Sequence, residues 1–170
     1  MNARKLWSRI LVIVGSIAML VGALDLMEGS LIILAGSGLV AFGTFLGQSE
    51  RRLIAYRVWV FILIAIGVGA MWGLTWVGGF GGNSGRSMWL GVLILPYLIG
   101  WSMGIWGPGS PRWLLVMGIV VGLFYQAILP IVLARGGKHA WVGATVISAL
   151  GVLTIVGCIS RLRNRTAERQ

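Results

Sequence analysis

Acidic residues are almost missing from this chain: four Asp and Glu stand against fourteen Lys and Arg in 170 residues. Cysteine and histidine occur once each, and proline four times. A single cysteine excludes a disulfide within the chain. Cys158 and His139 fall at opposite ends of one apolar tract, hence at opposite membrane faces in the topology below, so neither a clustered metal site nor a Cys–His nucleophile can be assembled. No metal, no cofactor and no enzymatic activity are therefore expected. Charged residues make up only 11% of the chain and AVILMFWYC 58%. That excludes a water-soluble enzyme, a disordered chain and a disulfide-stapled secreted module. The net charge of +10 does not point to nucleic acid, because the basic residues flank apolar spans instead of covering one face of a domain.

What is present is a series of uncharged tracts: Ile10 to Leu24, Gly29 to Ser49, Val58 to Gly85, Ser87 to Pro111, Trp113 to Ala134, and His139 to Ser160. Five hold 21 to 28 residues, enough to cross about 30 Å of hydrocarbon. The first holds 15 and reaches spanning length if Leu6 and Trp7 join it and Arg9 snorkels to the headgroups. A cleaved signal peptide is the rival reading of that first tract. The expected fold is an all-α membrane protein, a bundle of six transmembrane helices over roughly 6–25, 30–48, 56–77, 87–106, 112–134 and 140–160, in one membrane domain (1–160) with a basic cytoplasmic tail at 161–170.

With the N-terminus inside, six crossings put eleven Lys and Arg on the cytoplasmic side and only Arg86, Arg135 and Lys138 outside. The positive-inside bias thus predicts both termini in the cytoplasm. Trp7, Trp59, Trp106 and Trp113 fall near the inner boundary and Trp72, Trp76, Trp89 and Trp141 near the outer one, an aromatic-belt pattern; Trp101 reads as space-filling within a helix.

The glycine-rich segment Gly78 to Gly85 reads as a slack connector or a gate, and Gly107-Pro108-Gly109-Ser110-Pro111 as an inner turn. Pro96 and Pro130 are expected to kink helices four and five. Freed carbonyls near Tyr97, Tyr125 and Gln126 form a candidate polar site at mid-membrane depth, unless neighbouring helices absorb them. Small residues four apart, at Ala18/Gly22, Gly43/Gly47, Gly69/Gly73, Gly100/Gly104 and Gly118/Gly122, predict close helix packing.

Among the four acids, Glu50 lies beside Arg51 and Arg52, and Glu168 lies in the basic tail. Asp25 and Glu28, three apart, share one face of an outer helix end with Arg86 and Arg135 as the nearest basic candidates. They form either an interfacial ion pair that ties down the first hairpin or a carboxylate pair that takes up a proton or cation. Cys158 reads as a small packing residue.

Asp25-Leu26-Met27-Glu28-Gly29-Ser30-Leu31-Ile32-Ile33-Leu34, continuing through Gly36-Ser37-Gly38-Leu39-Val40-Ala41-Phe42-Gly43, resembles a motif of small bacterial polytopic integral membrane proteins. Gly85-Arg86-Ser87-Met88-Trp89-Leu90-Gly91 followed by Leu95-Pro96-Tyr97 is similar to a second segment of that group. The resemblance covers roughly the first 110 residues, so the last two helices look like an addition. It implies that Asp25, Glu28, Arg86 and Pro96 belong to one framework, and it brings no catalytic or binding residues with it. The expected function is a non-enzymatic accessory or scaffold subunit of a larger, energy-transducing type of membrane complex in the bacterial inner membrane. Its expected partners are the lipid bilayer and other membrane subunits, or further copies of itself. The alternative is a small proton, cation or solute transporter or channel built on Asp25 and Glu28.

Overall fold

A backbone in hydrocarbon has to satisfy its own hydrogen bonds, and uninterrupted Leu, Ile, Val and Ala leave the helix as the available solution. The computed structural model describes residues 3–24, 28–78, 88–135 and 140–167, and every element among them is helical. The elements are α1 (Ala3–Val21) with a 3-10 turn (Gly22–Leu24), α2 (Glu28–Leu46), α3 (Arg51–Trp76), a 3-10 segment (Met88–Ile94) leading into α4 (Leu95–Trp106), α5 (Arg112–Arg135) and α6 (Ala140–Ala167). Four helices are long and apolar enough to cross a membrane: α2, α3, Arg112–Ile131 within α5, and Ala144–Asn164 within α6. The apolar stretch Val92–Trp106 is shorter. The chain divides into two compact units, Met1–Gly104 and Ile105–Gln170.

In the first unit α1 and α2 form an antiparallel hairpin that meets backbone to backbone. Gly15, Gly22, Gly29, Gly36 and Gly43 recur every seven residues across both helices. A Cβ on Gly15 would stand 2.5 Å from the Gly36 carbonyl oxygen, and one on Gly36 would stand 2.7 Å from that of Gly15. Gly22 and Gly29 meet in the same way, and Gly43 faces Leu11, Val12 and the Ser8 carbonyl. A seven-residue repeat is the signature of helices that stay in contact at a shallow left-handed crossing. The residue after each α2 glycine in this series is a hydroxyl, and Ser30, Ser37 and Thr44 are all buried. Ser37 and Thr44 donate to their own helix, to the carbonyls of Leu34 and Val40 at 2.8 and 2.7 Å.

Antiparallel packing of α3 against α4 keeps one register: Gly67 is covered by Tyr97, and Gly100 faces Leu63 and Ile64. Two expectations change here. Gly69 and Gly73 have no described atom within 4 Å of a Cβ placed on them, because the face that α3 turns to its neighbours carries Gly67 instead. Pro96 is the second residue of α4, so it lies at the change from 3-10 to α-helix between Ile94 and Leu95 and not within an unbroken α-helix.

Helix ends follow local chemistry. After α2 the Ser49 N–H bonds the Thr44 carbonyl and the Gln48 N–H bonds that of Phe45, a Schellman arrangement whose left-handed residue is Gln48, with φ 51°. After α3 glycine takes that role, Gly78 with φ 91°. Gly107 to Ser110 make a turn with Pro108 second and Gly109 third at φ 76°, as a type II turn requires.

In the second unit α5 and α6 pack through Gly118, Gly122 and Gly151. A Cβ on Gly122 would meet the Gly151 carbonyl oxygen at 2.9 Å, and one on Gly118 would meet Cys158 Sγ at 2.8 Å. Pro130 lies inside α5, which continues on both sides of it. α6 runs on to Ala167, so residues 161–167, expected as a tail, are helical. Arg161 and Arg163 favour helix and sit well near its negative C-terminal end.

Candidate functional site

The buried polar side chains are the natural place for chemistry, because each is costly in hydrocarbon unless it is bonded. In the first unit the strongest group lies where the start of α3 meets the end of α4. The last four carbonyls of a helix have no partner within it, and for α4 these are Met103 to Trp106. Tyr56 Oη donates to the Met103 carbonyl at 2.8 Å and Arg57 Nη1 to the Gly104 carbonyl at 3.1 Å. Arg57 is only 5% exposed. Its charge complements the negative end of the α4 dipole as well as filling an orphan acceptor. Sequence reasoning took Arg57 for a flanking charge like Arg51 and Arg52. Because α3 starts at Arg51, Arg57 lies nearly two turns inside the helix.

Trp101 does more than fill space. It is 4% exposed, and its indole N–H donates to the Met19 carbonyl near the end of α1 at 3.0 Å, so it ties α4 to α1 as well as filling space. Trp72, expected at the outer boundary, is half-buried and donates to Ser30 Oγ at 3.3 Å, joining α3 to α2. Ser8 Oγ donates to the Gly43 carbonyl at 2.7 Å and Arg4 Nε to the Leu46 carbonyl at 2.8 Å, joining α1 to α2.

The residues of the expected mid-membrane site fall in both units. Tyr97 belongs to the first unit, buried over Gly67. Tyr125 and Gln126 belong to the second unit and do come together beside Gly151. Gln126 Nε2 donates to the Ser148 carbonyl at 2.9 Å, and Ser148 Oγ donates back to Gln126 Oε1 at 3.2 Å. Both ends of the amide are therefore engaged with α6, next to the carbonyl that Pro130 leaves without its usual donor.

Three buried polar atoms have no hydrogen-bond partner among the described residues: Ser102 Oγ, Trp106 Nε1 and Thr154 Oγ1. The Trp106 ring lies on Gly157, one turn of α6 from fully buried Thr154, with Cys158 next to it. Sequence reasoning missed Thr154; the signal was the run of small residues Gly151, Thr154 and Cys158 along one face of α6.

Of the outer ion-pair candidates, Glu28 is exposed in the first turn of α2, where the helix dipole favours a carboxylate. Asp25 and Arg86 lie outside the described residues, as does His139, and Arg135 is the last residue of α5. No group of three or more His, Cys, Asp or Glu able to hold a metal is found among the described residues. Comparison with family models, with curated proteins and with solved structures returns no match.

Proposed function

We propose that this chain is a six-crossing protein of a bacterial inner membrane with both termini cytoplasmic, a non-enzymatic accessory or scaffold subunit that packs against a larger membrane complex. Lengths support six crossings. α1, with 19 residues, reaches about 28 Å, and the 7-residue 3-10 segment with the 12 residues of α4 reaches about 32 Å if they run on in line. The excess of Lys and Arg at the cytoplasmic ends supports the orientation. The boundary between Gly104 and Ile105 supports reading the last two helices as a separate hairpin added to a four-helix framework of the bacterial kind that the first 110 residues resemble.

One observation carries the scaffold reading: the interior side chains Arg57, Trp101 and Gln126 are spent on helix-to-helix bonds while a broad apolar surface is left over. Arg57, Trp101 and Gln126 each bond a carbonyl of another helix. Ile17 on α1, Phe124 on α5 and Val156 on α6 are about half exposed, and Trp76 at the end of α3 is 86% exposed. Such a surface suits lipid and partner helices, not a solute pathway.

Affinity purification of the full chain in mild detergent, followed by quantitative mass spectrometry, tests the reading. Foreign membrane subunits at stoichiometric level support it, and a pure homo-oligomer overturns it in favour of a transporter or channel. Orientation is tested by a reporter enzyme active only outside the cytoplasm: active when fused after Gly82, silent after Ser110 and after Gln170. Activity at Gln170 would overturn six crossings.

A further inference from the structure

We propose that the basic end of the first unit binds an anionic phospholipid of the cytoplasmic leaflet, its headgroup on Lys5, Arg9, Arg51 and Arg52 and its acyl chains along α1. This rests on the membrane reading above.

The fold gathers these cations. α1 and α2 are antiparallel, with Arg4 bonded to Leu46 and Ser8 to Gly43, so the start of α1 lies beside the end of α2. α3 opens five residues after Leu46 with Arg51 and Arg52. Arg4, Lys5, Arg9, Arg51 and Arg52 are all exposed, and the carboxylate described at this end is Glu50, since Glu28 lies at the opposite end of α2. Five cations around one carboxylate make a patch complementary to phosphate.

The surface next to the patch selects the kind of anion. Lys5, Arg9, Ile13, Ile17 and Val21 follow one another at intervals of four, which places them in a single row along the helix, and all five are exposed. Leu6, Ile10 and Val14 form the neighbouring row, also exposed. A row that begins with two cations and continues as three aliphatic side chains matches a molecule with a charged head and apolar tails. A nucleic acid or an acidic protein segment would use the cations and leave the aliphatic rows without a partner. Trp7 and Trp59, both more than half exposed, border the patch as aromatic residues do at headgroup depth.

Native mass spectrometry of the full chain in a neutral detergent tests this, with dioleoyl phosphatidylglycerol, the phosphatidylcholine of the same chains, and inorganic phosphate added in separate titrations. The expected result is retention of phosphatidylglycerol at concentrations where the other two are lost, weakening as salt rises. The pair Lys5→Gln with Arg9→Gln should lower that affinity about 25-fold, at roughly fivefold per cation removed. Lys5→Arg with Arg9→Lys should keep it, as should Arg161→Gln with Arg163→Gln, which removes the same charge from α6. Ile13→Ala with Ile17→Ala should weaken it with every cation in place. Equal retention of phosphatidylcholine, an equal loss in the α6 variant, or phosphate or a short oligonucleotide displacing phosphatidylglycerol would each overturn the proposal. A chain absent from the membrane fraction would sink the earlier reading, whereas a membrane-inserted chain without headgroup preference would sink this one alone.

Discussion

Gly36→Ala and Gly69→Ala make the same chemical change in two apolar helices, and their effects should have opposite sign. At Gly36 the new methyl would lie 2.7 Å from the Gly15 carbonyl oxygen and 3.0 Å from Ala18 Cβ. Neither neighbour is a flexible side-chain tip, so the helices have to part by about 0.8 Å to reach a comfortable contact near 3.5 Å. A gap of that size forfeits about a quarter to a half of the dispersion attraction along the seam, and overpacking of this kind costs about 1 to 3 kcal/mol. Replacing glycine by alanine within a helix returns up to about 1 kcal/mol, so Gly36→Ala should destabilise, by up to about 2 kcal/mol when that return is complete. Gly69 has no described atom within 4 Å, and only the favourable part remains, a gain of up to about 1 kcal/mol. The assay is reversible unfolding of detergent-solubilised protein by increasing SDS mole fraction, read by tryptophan fluorescence. Equal shifts of the two midpoints, or a more stable Gly36→Ala, would refute the close approach of α1 and α2.

Trp101→Phe keeps an aromatic ring but removes the donor to Met19, and should cost about 1 kcal/mol in the same unfolding assay. A double-mutant cycle of Gln126→Leu with Ser148→Ala should give a coupling of about 0.5 to 1.5 kcal/mol, with part of the Gln126 bond surviving because it reaches the Ser148 backbone. Gln48→Gly relieves a left-handed conformation and should stabilise by about 0.5 to 1 kcal/mol, against a loss if that backbone is not left-handed. Asp25→Asn with Glu28→Gln should lower thermal stability by about 1 to 3 kcal/mol if the carboxylates hold the first hairpin. Unchanged stability with loss of ion or solute uptake in vesicles would move them to the transporter reading.

The helices were legible because apolar tracts bounded by charge admit little else in a membrane. Which faces meet was only partly so. Spacing by four marked Gly69 and Gly73 as well as Gly118 and Gly122, yet among the described residues only the latter pair lies against another helix, since the contact face of α3 is set by its neighbours. The seven-residue series from Gly15 to Gly43 was hidden for another reason: it runs through a turn, and its regularity matters only once α1 and α2 fold against each other. Arg57 and Trp101 were misread because a side chain's partner was a carbonyl of another helix, and carbonyls leave no trace in a residue pattern.

A comb of glycines with seven-residue teeth is also degenerate. Sliding α1 past α2 by two turns, roughly 10.5 Å, would bring glycine opposite glycine again, so close packing alone does not choose among such alignments. The polar bonds break the tie. Arg4 to Leu46, Ser8 to Gly43 and Trp101 to Met19 each start from a donor with no equivalent seven positions away, and only three residues, Asp25 to Met27, separate Leu24 from Glu28. Lengthening that link by seven residues while removing the Arg4, Ser8 and Trp101 donors would turn the hairpin into a ratchet with more than one resting position.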